Sequence, residues 1–201
     1  MKNATRIILA SLIVAVGAAA GQESTAGFKA GPMLSFAGEG STIYNASNLI
    51  GLKAGFFYAH RLSDVISLQP EVQFALKGAG YYSNITRHEE SVHFNYLEVS
   101  LLVNARVASN RLEFFAGPYA ALLLSHTPLD ETHVWTWREN ELKGHDFGAC
   151  LGARFWWRDF SLELQFMRGF VNVLPEIYLG EVTLGHYNTA VAVQIGYRLI
   201  K

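Results

Sequence analysis

The clearest order in the chain lies near its end. From Thr189 to Leu199, Val191, Val193, Ile195, Tyr197 and Leu199 alternate with Ala190, Ala192, Gln194, Gly196 and Arg198. A period of two is that of a β-strand with one apolar face and one small or polar face. The polar face carries an arginine, which a buried soluble core would not readily accept. The same division runs through Val65 to Lys77, where Ile66, Leu68, Pro70, Val72, Phe74 and Leu76 oppose Ser67, Gln69, Glu71, Gln73, Ala75 and Lys77. Such a run exceeds the usual soluble strand of about 5 to 6 residues and suits a tilted membrane strand of about 9 to 11 with an exposed end. In Phe160 to Met167, Phe160, Leu162, Leu164 and Phe166 oppose Ser161, Glu163, Gln165 and Met167. In Phe147 to Trp157, Phe147, Ala149, Leu151, Ala153, Phe155 and Trp157 oppose Gly148, Cys150, Gly152, Arg154 and Trp156. Four further segments alternate less cleanly, with apolar rows Phe28 to Leu34, Leu52 to Tyr58, Leu97 to Val103 and Leu112 to Leu122.

The connections alternate in length. Residues 60–64, 107–111 and 158–159 are tight turns, while 37–49, 78–93, 124–145 and 169–187 are long. Short turns at one end and long loops at the other are the layout of outer-membrane barrels, and eight strands leave both termini on the short-turn, periplasmic side. The expected fold is therefore all-β: an eight-stranded antiparallel transmembrane up-and-down β-barrel. Within a bilayer, closed sheets are the only non-helical way to satisfy every backbone polar group. The apolar rows then face lipid, and Lys29, Lys53, Glu71, Gln73, Glu98, Arg154, Glu163, Gln165 and Arg198 face the lumen. Opposite charges enclosed together can pair, and eight strands leave a bore that side chains can fill, so a plugged interior is expected. Tyr58, Tyr81, Tyr82, Phe94, Tyr96, Trp156, Trp157, Phe160, Tyr187 and Tyr197 lie near strand ends. There, amphipathic rings favour the headgroup zones.

Composition adds the compartment. Half of the 201 residues are apolar and only 16% are charged, an average that one greasy and one polar face would produce. Lys2 and Arg6, the apolar stretch Ile7 to Val16, and Ala18 to Ala20 read as a signal peptide over residues 1–20, leaving 21–201 as one barrel domain. The apolar stretch is shorter than the ~20 residues of a membrane helix. A lone Cys150 offers no internal disulfide, and a formal net charge of -1 gives no sign of a nucleic-acid partner.

With these residues in view, the chain resembles the outer membrane protein β-barrel domain family, the PorT-like small barrels of Bacteroidetes. The resemblance rests on Gly27-Phe28-Lys29-Ala30-Gly31, Gly51-Leu52-Lys53-Ala54-Gly55 and Leu68-Gln69-Pro70-Glu71, and continues through Tyr96-Leu97-Glu98-Val99, Phe115-Ala116-Gly117-Pro118-Tyr119 and Gly196-Tyr197-Arg198. It implies the barrel fold and the outer membrane of a bacterial cell and leaves the activity open. The segment Gln194 to Lys201 is similar to the closing signal read by the barrel assembly machinery, with Lys201 where an aromatic residue is usual.

Candidate chemistry is sparse. His88, His93, His126, His133, His145 and His186 fall toward the long-loop rim, without a close ligand pair such as H-x-x-x-H, so no metal site is expected. Ser125 and His126 are adjacent, and in a strand they point to opposite faces, which is wrong for a nucleophile and its base. Asp130, Glu131 and His133 would need an unusual loop shape to help. Neither a catalytic site nor a cofactor is expected. The loop Asp130 to Lys143, with Trp135, Trp137 and Arg138, is the candidate interaction surface. The reading is a structural or interaction barrel whose loops meet a protein partner, outer-membrane lipid or lipopolysaccharide. Its competitors are a lipid-modifying enzyme of the lipid A deacylase or acyltransferase type, and a soluble lipocalin-like carrier that turns its apolar face inward.

Overall fold

The computed structural model describes residues 24–36, 44–83, 89–107, 111–127, 143–173, 177–179, 182–184 and 187–200. Eleven strands lie among the described residues. They are β1 (Ser24–Phe36), β2 (Tyr44–Ser47), β3 (Leu49–Arg61), β4 (Ile66–Ser83), β5 (Glu89–Arg106), β6 (Leu112–His126), β7 (His145–Trp157), β8 (Phe160–Asn172), β9 (Ile177–Leu179), β10 (Val182–Leu184) and β11 (Tyr187–Ile200). Eight long strands close on themselves: β1-β3-β4-β5-β6-β7-β8-β11, with β11 returning to β1. Every pairing is antiparallel, and the closing seam sets Lys29 against Gly196 and Met33 against Ala192. Closure removes the free edges, so the ladder satisfies the strand backbones without water.

Two ends are distinct. Ser24 and Ile200 share one end with the turns at 62–65 and 158–159 and the connection from β5 to β6, and the other end carries the longer connections. At the first, Ser63 caps its turn, its hydroxyl accepting the amide of Ile66 at 3.0 Å. The tightest turn joins Trp157 to Phe160, which pair directly. Arg158 adopts a φ of 58° there, the left-handed region that two-residue hairpins use and glycine or asparagine usually fills.

The polarity of the wall is the reverse of a soluble protein's. Phe56, Leu151, Leu162, Leu164, Ile195 and Leu199 stand outside, each more than half exposed, while Lys29, Lys53, Glu71, Glu98, Arg154 and Glu163 are buried. A lipocalin-like carrier requires the opposite arrangement. Inside, glycines let aromatic rings lie across neighbouring strands. Phe115 faces Gly152 and Tyr119 faces Gly148 across the β6–β7 pair, and a Cβ on Gly148 would sit 2.7 Å from the Tyr119 ring.

Several expectations are corrected. Phe94, Tyr96 and Trp156 are not in the headgroup zones but inside the barrel, at 1%, 1% and 6% exposure. Their even-numbered positions share the inward face with Glu98 and Arg154, and strand parity outweighs the interfacial preference of an aromatic ring. The connection expected at 78–93 is also shorter. β4 and β5 stay paired out to Tyr82 and Glu89, because ladder bonds outweigh the weak strand preference of Gly78 and Gly80. Within the connection expected at 169–187, β9 and β10 pair as a small hairpin.

Candidate functional site

Alternation on eight tilted strands delivers one polar side chain per inward step, and the register decides which of them meet. At the turn end, Arg106 reaches Glu113 at 3.2 Å, and Arg154 reaches the same carboxylate at 3.3 Å. Arg154 also grips Glu163, with Nη2 at 2.7 Å and Nε donating at 2.8 Å. Glu163 in turn accepts Lys29 at 2.5 Å, and Lys29 lies 2.7 Å from Glu71. These residues come from β1, β4, β5, β6, β7 and β8, so the cluster ties strands that are not neighbours.

A second cluster lies deeper. Lys53 is 2.5 Å from Glu98 and donates to Gln165 at 2.8 Å, while Lys77 is 3.0 Å from the other oxygen of Glu98. Glutamines link the two clusters. Gln73 donates to Glu71 at 2.7 Å and accepts from Gln194 at 3.1 Å, and Gln194 also donates to the backbone carbonyl of Lys53 at 3.2 Å. Toward the loop end, Asp146 accepts the Tyr119 hydroxyl at 2.9 Å and the Asn188 amide at 2.8 Å. Lys77 stands 4.6 Å from the centre of the Tyr119 ring, joining this group to the second cluster by a cation–π contact.

Of the nine residues expected inside, Lys29, Glu71, Arg154 and Glu163 meet in the first cluster, Lys53, Glu98 and Gln165 in the second, and Gln73 joins them. Arg198 stands apart at the turn end, its guanidinium 4.2 Å above the Trp156 ring. Sequence reasoning passed over Gln69, Lys77, Glu113, Asp146 and Gln194 as members, though all are buried. Gln69 and Lys77 share strand parity with Glu71, Asp146 with Arg154 and Gln194 with Arg198, while Glu113 stands opposite the apolar row of β6, so parity alone would have found them. Trp135, Trp137 and Arg138 lie outside the described residues, as do residues 1–20 of the expected signal peptide and Asp130, Glu131 and His133.

Four buried cations, Lys29, Lys53, Lys77 and Arg154, face four buried glutamates, Glu71, Glu98, Glu113 and Glu163. Balanced pairing is what permits such burial, since an unpaired ion in a low-dielectric interior is strongly penalised. At the loop end, the Ser125 hydroxyl accepts from the Asn95 amide at 2.9 Å, and the His126 ring lies 3.0 Å from the Thr127 carbonyl. Among the described residues, no three His, Cys, Asp or Glu side chains converge as a metal site would need.

Comparison with solved structures finds distant likenesses to outer-membrane proteins. The attachment invasion locus protein Ail of Yersinia pestis is 12% identical, covering 89% of this chain and all 100% of its own, at a TM-score of 0.47. OprG of Pseudomonas aeruginosa is 8% identical over 90% of this chain and 98% of its own, at 0.45. Outer Membrane Protein W of E. coli is 14% identical over 89% and 100%, at 0.40. These likenesses are too distant to bear on what the chain binds. No curated protein matches in sequence. The model of the outer membrane protein beta-barrel domain matches residues 19–174, more than half of the chain, and the chain belongs to that family of outer-membrane barrels.

Proposed function

We propose that the protein is a closed, non-conducting and non-catalytic barrel of the outer membrane, serving a structural or interaction role through its outer loops. The observation that carries this reading is the linked ion-pair network. From the partly buried Arg106 to the buried Lys77, side chains bridge opposite walls of the lumen with contacts of 2.5–3.3 Å. A hydrated ion would have to break several of these contacts to pass, each break leaving a buried charge uncompensated at about 3–5 kcal/mol. Removal of residues 1–20 as a signal peptide belongs to the same proposal.

The absence of catalysis is supported by Ser125, whose hydroxyl is engaged by Asn95 rather than by His126. Contact with lipopolysaccharide is supported by Arg168, which faces outward near the loop end, bonded to Thr189 and stacked 5.5 Å from the Tyr187 ring. A guanidinium so placed sits at headgroup level, where phosphate is its natural partner. A protein partner would meet Trp135, Trp137 and Arg138. Single-channel recording in planar bilayers tests the plugged lumen: no conductance steps are expected from the parent protein, and steady steps would overturn the proposal.

A further inference from the structure

Below the ion-pair network, the turn end of the lumen opens into a cavity of 520 Å³. That size suits a small organic ligand. Its walls carry Arg61, Arg106, Arg154 and Arg198 against the single carboxylate of Glu113, with Trp156 as an aromatic side. Two of the four guanidiniums are anchored by Glu113: Arg106 at 3.2 Å and Arg154 at 3.3 Å. Arg154 is paired in addition with Glu163 at 2.7 Å, so the positive charge of the recess comes chiefly from Arg106 and Arg198 against Glu113, and low-dielectric walls focus that field toward the mouth.

Arg198 is placed differently. Its guanidinium lies over Trp156, 4.2 Å from the ring centre, and its Nε is buried without a hydrogen-bond partner in the protein. An oriented fork with an unused donor fits the two oxygens of a carboxylate or phosphate. The network above closes the inner end, so access is from the periplasmic side alone.

We propose that the periplasmic mouth of the barrel binds a small solute bearing a carboxylate or phosphate group, with Arg198 as the principal contact and Arg106 adding to the surrounding positive field. The anion enters from the periplasm and leaves the same way. A phospholipid headgroup of the inner leaflet offers the same chemistry, so the source of the oxyanion must be resolved by the test.

Citrate and inorganic phosphate are titrated calorimetrically into the purified full chain in an uncharged maltoside detergent, with sodium chloride at matched ionic strength as the reference. Saturable binding of at least one probe is expected, weakened at least about tenfold in Arg198→Gln and abolished in Thr25→Trp, which fills the recess from β1. Unchanged heat-modifiable gel mobility certifies that each variant is folded, and if Arg198→Gln fails to fold, Thr25→Trp carries the test. Repeating the titration in nanodiscs separates the sources. A free solute binds equally in the maltoside detergent and in phospholipid discs, whereas a headgroup site is already occupied by lipid phosphate in the discs. Heats no larger than those of chloride, or equal affinity in the folded variants and the parent, would overturn the proposal.

Discussion

Glu98 holds two lysines at once, Lys53 at 2.5 Å and Lys77 at 3.0 Å. Glu98→Gln keeps the shape of the side chain and removes its charge, leaving both ammonium groups buried without that carboxylate. Coulomb's law with an effective dielectric constant near 20 assigns about 6.6 and 5.5 kcal/mol to contacts of those lengths. Their sum is not the expected loss, because one lysine can release its proton instead. From an ordinary lysine pKa near 10.4, that release costs about 4.6 kcal/mol at pH 7, and this value caps the penalty for each stranded lysine. It falls within the ~3–5 kcal/mol typical of breaking a buried pair. The same arithmetic gives about 1.9 kcal/mol at pH 9, so the defect shrinks as the pH rises. Urea unfolding of the barrel in lipid vesicles, followed by tryptophan fluorescence at both pH values, measures each quantity. Adding Lys77→Met removes one of the stranded cations and is expected to recover about half of the pH 7 loss, a coupling that a double-mutant cycle reads directly. If Glu98→Gln matched the parent at pH 7, or if Lys77→Met deepened its defect, the charge-pairing account of the lumen would be wrong.

Other substitutions probe the wall and the turn. Leu164→Arg places a charge on the outward face of β8 and is expected to destabilise the barrel by about 2–4 kcal/mol near the bilayer midplane, measured by the same urea titration. Gly152→Leu puts a side chain into the Phe115 ring that crosses it. A loss of about 1–3 kcal/mol from overpacking is expected, seen as a smaller heat-modifiable fraction on refolding. Arg158→Gly relieves the left-handed backbone at a φ of 58° and is expected to stabilise the β7–β8 hairpin by roughly 1 kcal/mol in the urea midpoint.

Much of this architecture is legible in one dimension because a strand's side chains alternate without drift. The row containing Gln194 and Arg198 and the row containing Glu71 and Gln73 each declare which face is polar, and neither declaration depends on neighbouring strands. What alternation does not encode is partnership. Lys29 meets Glu163, 134 residues away, only because the stagger of eight closed strands brings β1 and β8 to one level of the lumen. Residue type misleads where parity does not. Tyr96 and Trp156 have side chains that suit a membrane interface, yet each stands on the same face of its strand as a buried ion, Glu98 and Arg154 respectively. Strand ends are blurred for a different reason. Gly78 and Gly80 are weak strand formers by themselves, and the pairing of β4 with β5 carries them past the expected boundary.

The sidedness of the wall is the claim on which the rest depends, and spin labelling measures it most directly. Leu164 and Val193 are cross-strand partners, 55% and 42% exposed on the outer surface, and Ser161 faces inward at 5% exposure. With Cys150 first replaced by alanine, a nitroxide at each of these positions is read in lipid vesicles by its collisions with oxygen, which concentrates among acyl chains, and with a water-soluble nickel chelate. Labels at Leu164 and Val193 are expected to collide strongly with oxygen and weakly with nickel, and the label at Ser161 to be shielded from oxygen. Shielding at Leu164 and Val193, with oxygen contact at Ser161, would mean that the barrel is turned inside out.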